Sequence, residues 1–234
     1  MATLDRLIDK LFARKLDWKS IDIARALEQP HLLDLIREAC LIESFLPLYT
    51  AKMNELFWDN EHATSMFTLE AYEAYGHYYV LRHYLDVIGY RPIEDWEILD
   101  IRKKGLDLSY TDPVQELVNF MGTELFAAEF FRDLGSMNPE PALKKLLPEF
   151  VAEEVSHSQC AFDLLEGMVQ TDPRLNQHIL QAAQAFRHVG TYVVPRVAPA
   201  KSDNLRIILA FNERIAQLTG TRASDALFDS NLSL

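Results

Sequence analysis

The 234-residue chain has only two cysteines, Cys40 and Cys160, and no Cys-x-x-Cys pair. Neither a disulfide framework nor a structural zinc site has the residues it needs. Glycine and proline are scarce, at eight and ten, which excludes collagen-like and low-complexity chains. Basic residues are outnumbered: 23 Lys and Arg against 35 Asp and Glu leave a net charge of −12. A binder of nucleic-acid backbones requires the opposite sign, so no nucleic-acid partner is expected. No stretch approaches about 18 apolar residues without a charge, so no membrane span is expected. The opening MATLDRLIDKLF carries charges every few residues and has no signal-peptide core, which makes a cytoplasmic location the expectation. A Gly-rich phosphate loop and a nucleophile elbow are missing as well. What remains is a chain 49% hydrophobic and 25% charged, enough to bury the core of one ordinary domain. No composition shift divides it, so 1–234 is expected to be a single domain.

Strand-like alternation is also scarce; the one β-branched cluster, at 191–197, is short and contains Pro195. Apolar residues recur at helical spacing almost everywhere, which predicts an all-α fold. Thr3 is placed to cap a helix over 4–16, and a short piece is expected over 20–27. A long helix over 32–58 should kink at Pro47. The next, over 63–88, should stop at Gly89. A short helix is expected within the connector 92–104. Asp112-Pro113 reads as N-cap and first residue of a helix to Leu134. Asn138-Pro139 opens a stretch to about Val169, bent or broken at Pro148. Asp172-Pro173 repeats the cap signal and opens a helix toward Tyr192, and Ser202 caps a last one ending at Gly220. The long helices predict a four-helix bundle over about 32–170. Accessory helices would cover 3–27 and 173–220, with a loose or partner-bound tail at 221–234.

The informative residues are acids on apolar faces. Glu124 shares its helix face with Leu117, Phe120, Met121, Ala127, Ala128 and Phe131, so its carboxylate sits in the buried stripe. Glu129, with Arg132 and Asp133 beside it, is expected to look outward. Glu43 lies among Ile36, Ala39, Cys40, Leu46 and Thr50. Glu154 lies among Leu147, Phe150, Val151, His157 and Ala161, and Glu73 among Met66, Leu69, Glu70, His77 and Val80. A lone buried carboxylate costs several kcal/mol unless it is paired, protonated or bound to metal. Four helices aiming acid inward therefore suggest one shared compensating partner. Spacing sharpens the point: Glu43 precedes Glu73 by 30 residues, Glu124 precedes Glu154 by 30, and a histidine follows each second acid, at His77 and His157.

This pattern resembles the ferritin-like di-metal carboxylate proteins, in which two helices each give one Glu and two others each give Glu-x-x-His. The resemblance covers about residues 43–157. It implies a ferritin-like four-helix bundle holding two iron ions through Glu43, Glu73, His77, Glu124, Glu154 and His157. Manganese is also compatible, because carboxylate and imidazole ligands suit both metals. One departure stands out. Glu73-Ala-Tyr-Gly-His77 is one residue longer than the family pattern, with Gly76 where histidine would be expected. A π-bulge near Gly76 would restore the geometry. Alternatively Glu70 and Glu73 form an acid pair, with His77 joining or standing aside. All three share a face, so the sequence leaves the choice open; the 30-residue spacing favours Glu73, with Glu70 in reserve. Glu153 competes with Glu154, and helix register favours Glu154.

By this resemblance the chain is expected to be a non-haem di-iron oxidase or oxygenase, acting with O2 on a small organic substrate. Phe120, Met121, Phe131 and Phe150 would shape its pocket. Electrons would come from an external donor, because no flavin or nicotinamide motif is visible; a homodimer is compatible. Iron storage or peroxide detoxification is the second reading. A haem-oxygenase-like di-iron bundle is a third, in which Glu43→Ala would spare metal binding. A non-catalytic helical interaction protein is the fourth; there Arg37, Arg82, Arg132 and Arg187 would neutralise the inward acids. His83, His178 and His188 are expected to be surface or satisfied histidines, and Cys160 to pack beside the site as a small apolar residue.

Overall fold

The structure, a computed structural model, describes residues 16–106, 108–188, 193–194 and 201–223, with backbone alone at 106 and 201–204. Every regular element among them is helical. A 3-10 turn (Trp18–Ser20) and a short α1 (Ile23–Ala26) lead into α2 (Pro30–Glu43), α3 (Leu46–Leu56), α4 (Glu61–Ile88) and α5 (Asp95–Leu106). Then follow α6 (Pro113–Met137), α7 (Pro141–Thr171), α8 (Leu175–Ala185) and α9 (Lys201–Thr219). Among the described residues no helix is long and apolar enough to cross a membrane. The expected helix at 4–16, most of the 191–197 cluster and the tail from 224 onward lie outside the described residues.

The helix ends follow local chemistry. Asn60 accepts the Ala63 N–H, and Asp112 accepts those of Val114 and Gln115, so α4 and α6 begin with side-chain caps. Gly89 takes φ +70° to end α4, the left-handed conformation glycine adopts without strain. Three expectations need correction. The helix over 32–58 is two helices, because Pro47 has no N–H for the Glu43 carbonyl and its ring crowds that carbonyl; α2 therefore stops at Glu43 and α3 starts afresh at Leu46. Asn138 closes α6 rather than opening α7, whose cap is Glu140, and α7 runs on through Pro148. Asp172 closes α7, and α8 starts at Leu175 and ends at Ala185.

The α6–α7 hairpin packs against a second layer in which α4 lies beside α2 and α3, with α4 and α7 also in contact. Two apolar clusters hold these helices at opposite ends. One joins α2 with the later half of α4 (Val80, Leu81, Tyr84), the later half of α6 (Phe130, Phe131, Leu134) and the early half of α7 (Leu143, Leu147, Phe150). The other joins α3 with the early halves of α4 (Met66, Phe67) and α6 (Leu117, Met121), the later half of α7 (Ala161, Leu165), and α8 and α9. Hence α4 and α6 run one way, and α2–α3 and α7 the other. Two parallel neighbours in sequence need a long crossover, and α5 provides it. It is strapped along α2 and α3 by Arg37 to Glu97, Arg102 to the Ser44 carbonyl (2.9 Å) and Lys52 to the Gly105 carbonyl (3.0 Å). Between the two apolar clusters lies a polar layer, and the inward acids occupy it.

Candidate metal centre

Four helices, α2, α4, α6 and α7, contribute at the level where the clusters part. Glu43 ends α2, Glu70 and His77 stand two turns apart on α4, Glu124 is mid-α6, and Glu154 and His157 are mid-α7. All six are buried. They form two trios, Glu43 with His77 and Glu154, and Glu70 with Glu124 and His157, each with donor atoms within 4.8 Å of one another. Both imidazoles point Nδ1 into the layer. His77 Nδ1 lies 3.2 Å from Glu154 Oε1 and 3.7 Å from Glu43. His157 Nδ1 lies 2.6 Å from Glu70, 3.3 Å from Glu154 Oε2 and 3.7 Å from Glu124. The two oxygens of Glu154 thus face one trio each.

The outward nitrogens are engaged too, and across the bundle. His77 Nε2 on α4 meets Glu153 of α7 at 2.7 Å, and His157 Nε2 on α7 meets Glu73 of α4 at 2.5 Å. A carboxylate behind Nε2 is the partner that metal-ligating histidines have, where it holds the Nε2 proton and leaves Nδ1 for the ion. The structure thus brings Glu43, His77, Glu124, Glu154 and His157 together and puts Glu70 with them. Glu73, its side chain 21% exposed, stands behind His157, and Glu153 stands behind His77. No π-bulge occurs at Gly76, for α4 is α-helical throughout. In the sequence Glu73 and Glu153 read as candidate ligands, because the 30-residue spacing pairs Glu73 with Glu154. The exact repeat is Glu-x-x-x-His, at Glu73–His77 and Glu153–His157, 80 residues apart in both members.

Electrostatics describe a site short of positive charge. Burial pushes Glu43 up to about 7 against the pull of His77. Burial also raises Glu70 against the pull of His157, and raises Glu124 well above the carboxylate range with help from Glu154 and Glu70. Burial opposes ionisation of Glu154 as well, but hydrogen bonds with Glu124, His157 and His77 hold it well below its usual value. Burial would discharge the imidazoles, yet the carboxylates around them win. Glu153, Glu154 and Glu43 raise His77, and Glu70, Glu124 and Glu154 raise His157. None of the four arginines expected to neutralise these acids does so. Arg37 pairs with Glu97, Arg82 with Asp95, Arg132 with Glu129, and Arg187 donates to the carbonyls of Gln184 and Phe186. Two buried atoms of the layer, His77 Nδ1 and Glu70 Oε2, have no aligned hydrogen-bond partner. The residues fit a pair of divalent cations: four carboxylates balance their charge, and the orphaned atoms are ligand atoms.

Surroundings correct other expectations. Phe150 and Phe131 pack on the His77 ring, with centroids at 4.0 and 5.5 Å, and Met121 lies in the core, so of the four expected residues only Phe120 lines the adjoining cavity. That cavity, about 470 Å³, reaches Glu124 and is walled by Phe45, Tyr49, Tyr110, Phe120 and Phe186. Cys160 is exposed, because it lies on the outer side of α7. Glu129 is buried, paired with Arg132 and with Arg206 of α9. His178 bonds Asp112 at 2.7 Å, His83 lies against Trp18, and His188 stacks on Phe126. Comparison of the chain with protein-family models, with curated proteins and with solved structures finds no match.

Proposed function

We propose that the chain holds two iron ions, or manganese, and uses O2 to oxidise a small organic molecule lodged beside Glu124. The observation that carries this reading is the pair of buried Glu/Glu/His trios joined through Glu154. Glu43, His77 and Glu154 would hold one ion, and Glu70, Glu124 and His157 the other. When bound, such ions supply the Lewis acidity and the electrons that O2 chemistry needs. Glu153 and Glu73 retain the Nε2 protons and keep both rings in register. Phe131 and Phe150 shield His77 from water, and the cavity at Glu124 offers a small molecule room next to the ions. Helix directions with one long crossover are those of ferritin-like bundles, which supports that family's fold here. Electrons would arrive from a separate donor protein, and the net charge of −12 suits one with a basic docking face.

The test is metal content after anaerobic loading, followed by absorption and O2 uptake when the reduced protein meets air. About two ions per chain with O2 consumption supports the reading, on the ligand count of such sites. Failure to retain either metal refutes it. Two retained ions without O2 uptake would favour a metal-handling role.

A further inference from the structure

The cavity beside the centre has a second carboxylate, and its situation differs from that of the ligands. Glu116 lies two turns before Glu124 on α6 and lines the same space, together with Gln115, Asn119 and Thr123. Among the described residues its carboxylate makes no hydrogen bond and no ion pair; its backbone N–H donates to the Asp112 carbonyl at 3.0 Å. Asp112, one turn earlier, is engaged by the cap of α6 and by His178. Among the described residues Arg187 is the one cation in the lining; it is exposed and donates to the carbonyls of Gln184 and Phe186. Burial, then the charge of Asp112, pushes Glu116 up to about 7, the behaviour of a half-buried acid that lacks a cation.

The rest of the lining is apolar and mostly aromatic: Phe45, Tyr49, Tyr110, Phe120 and Phe186 with Leu46, Ala185 and Val193. Tyr49 meets Tyr110 edge-on at 5.4 Å and lies nearly parallel to Phe120 at 6.2 Å. Rings of this kind accept both flat apolar groups and organic cations. The fixed acids of the cavity, Glu116 and Glu124, stand eight residues apart on one helix, about 12 Å along its axis. With Glu124 balanced by an ion at one end, Glu116 is the uncompensated charge at the other, and it disfavours an anionic body lying along the cavity.

We propose that this cavity receives a small extended organic amine, its ammonium group held by Glu116 and its apolar body lying among Phe45, Tyr49, Tyr110 and Phe120 toward Glu124. The proposal deepens the reading of the neighbouring trios as the reaction centre, and it rests on that reading for the direction in which the amine points. Selectivity for amines then comes from Glu116, and position at the centre from the aromatic walls.

The test is calorimetric titration of the metal-loaded full chain at about pH 8, where a free carboxylate is ionised and an alkylamine protonated. The probes are 2-phenylethylamine, its neutral counterpart 2-phenylethanol and the anionic 3-phenylpropionate. The amine should bind at least about tenfold more tightly than either companion, a preference worth one charge-assisted hydrogen bond. Glu116→Gln should abolish that preference and leave metal content unchanged. An amine that fails to bind, binds no better than the alcohol, or keeps its preference in Glu116→Gln overturns the proposal. Metal content of the same samples is a separate readout. Absence of metal with amine preference intact overturns the metal reading alone, whereas two bound ions without amine preference overturns only the amine assignment.

Discussion

Separate replacement of Glu70 and Glu73 by glutamine distinguishes a metal ligand from the support of one. The two residues are three apart on α4 and both approach His157, from opposite sides of its ring. Glu70 is 2% exposed and lies 2.6 Å from Nδ1, inside a trio. Glu73 has a side chain 21% exposed and lies 2.5 Å from Nε2, outside it. Glutamine keeps the size of the side chain and removes the charge. In Glu70→Gln a dry site loses one of its four ligating carboxylates, so metal content should fall from about two ions per chain toward one. In Glu73→Gln the Nε2–H still donates to an amide oxygen, and only the charge assistance is lost. Outer carboxylates of this kind are worth about 10–100-fold in metal affinity, roughly 1.4–2.8 kcal/mol. Partial exposure of Glu73 screens its charge, which places the effect near the lower end, about tenfold. A competition titration against a chelator of known affinity resolves that loss, and elemental analysis after gel filtration resolves the stoichiometry. The assignment fails if Glu73→Gln loses a whole equivalent while Glu70→Gln retains two.

Three further outcomes follow from the same geometry. Glu43 rises from an ordinary 4.5 to about 7 on burial, so the metal-free protein takes up a proton on folding. That contribution is complete below about pH 4.5 and is lost as pH rises through about 7, at most about 3 kcal/mol. The metal-free Tm should drop by roughly 10 °C between pH 5 and pH 8, and Glu43→Gln should flatten the slope; a metal-free Tm that holds level or rises refutes the account. A Cβ on Gly122 would stand 2.6 Å from the Phe186 ring, which lines the cavity and packs on Phe211 at 5.0 Å. Gly122→Ala should cost about 1–3 kcal/mol in thermal or denaturant unfolding and weaken cavity ligands while sparing metal content. Glu140 is fully buried and accepts the N–H groups of Ala142, Leu143 and Asp22 at 3.0, 2.7 and 3.3 Å. Glu140→Ala should cost about 1–2 kcal/mol, read as a lowered midpoint in denaturant titration.

The sequence made the helices and the inward acids legible because a buried carboxylate among apolar residues at spacing 3, 4 and 7 contradicts every other expectation for that stripe. Glu124 and Glu43 stand out in this way without any structure. The choice among Glu70, Glu73 and His77 did not, because residues three and four apart differ by only a fraction of a turn. Leu69, counted as a face-mate of Glu73, is 53% exposed, while Glu70 is buried. The true inward face of α4 is therefore rotated away from Glu73, and that rotation is set by packing against α2, α3 and α7. Cys160 and Glu129 failed for the same reason. Cys160 lies three residues after His157 yet faces out, and the partner that makes Glu129 tolerable inside, Arg206, lies 77 residues later.

The exchange of supports between α4 and α7 bears on how the site is held. Each helix supplies one histidine and the carboxylate behind the other helix's histidine, so sliding α4 along α7 by a turn, about 5.4 Å, would break both pairs at once. What sets their register lies outside the polar layer. Phe150 and Val80 belong to the cluster on one side, and Phe67 and Ala161 to that on the other. A layer of four buried carboxylates without cations is unfavourable in itself, and the apolar clusters must offset that cost for the trios to exist without metal. The site is thus preorganised by packing that touches none of its ligands through charge. Metal binding, as proposed, would then relieve electrostatic conflict instead of building the fold, and loss of metal should lower stability without unfolding the bundle.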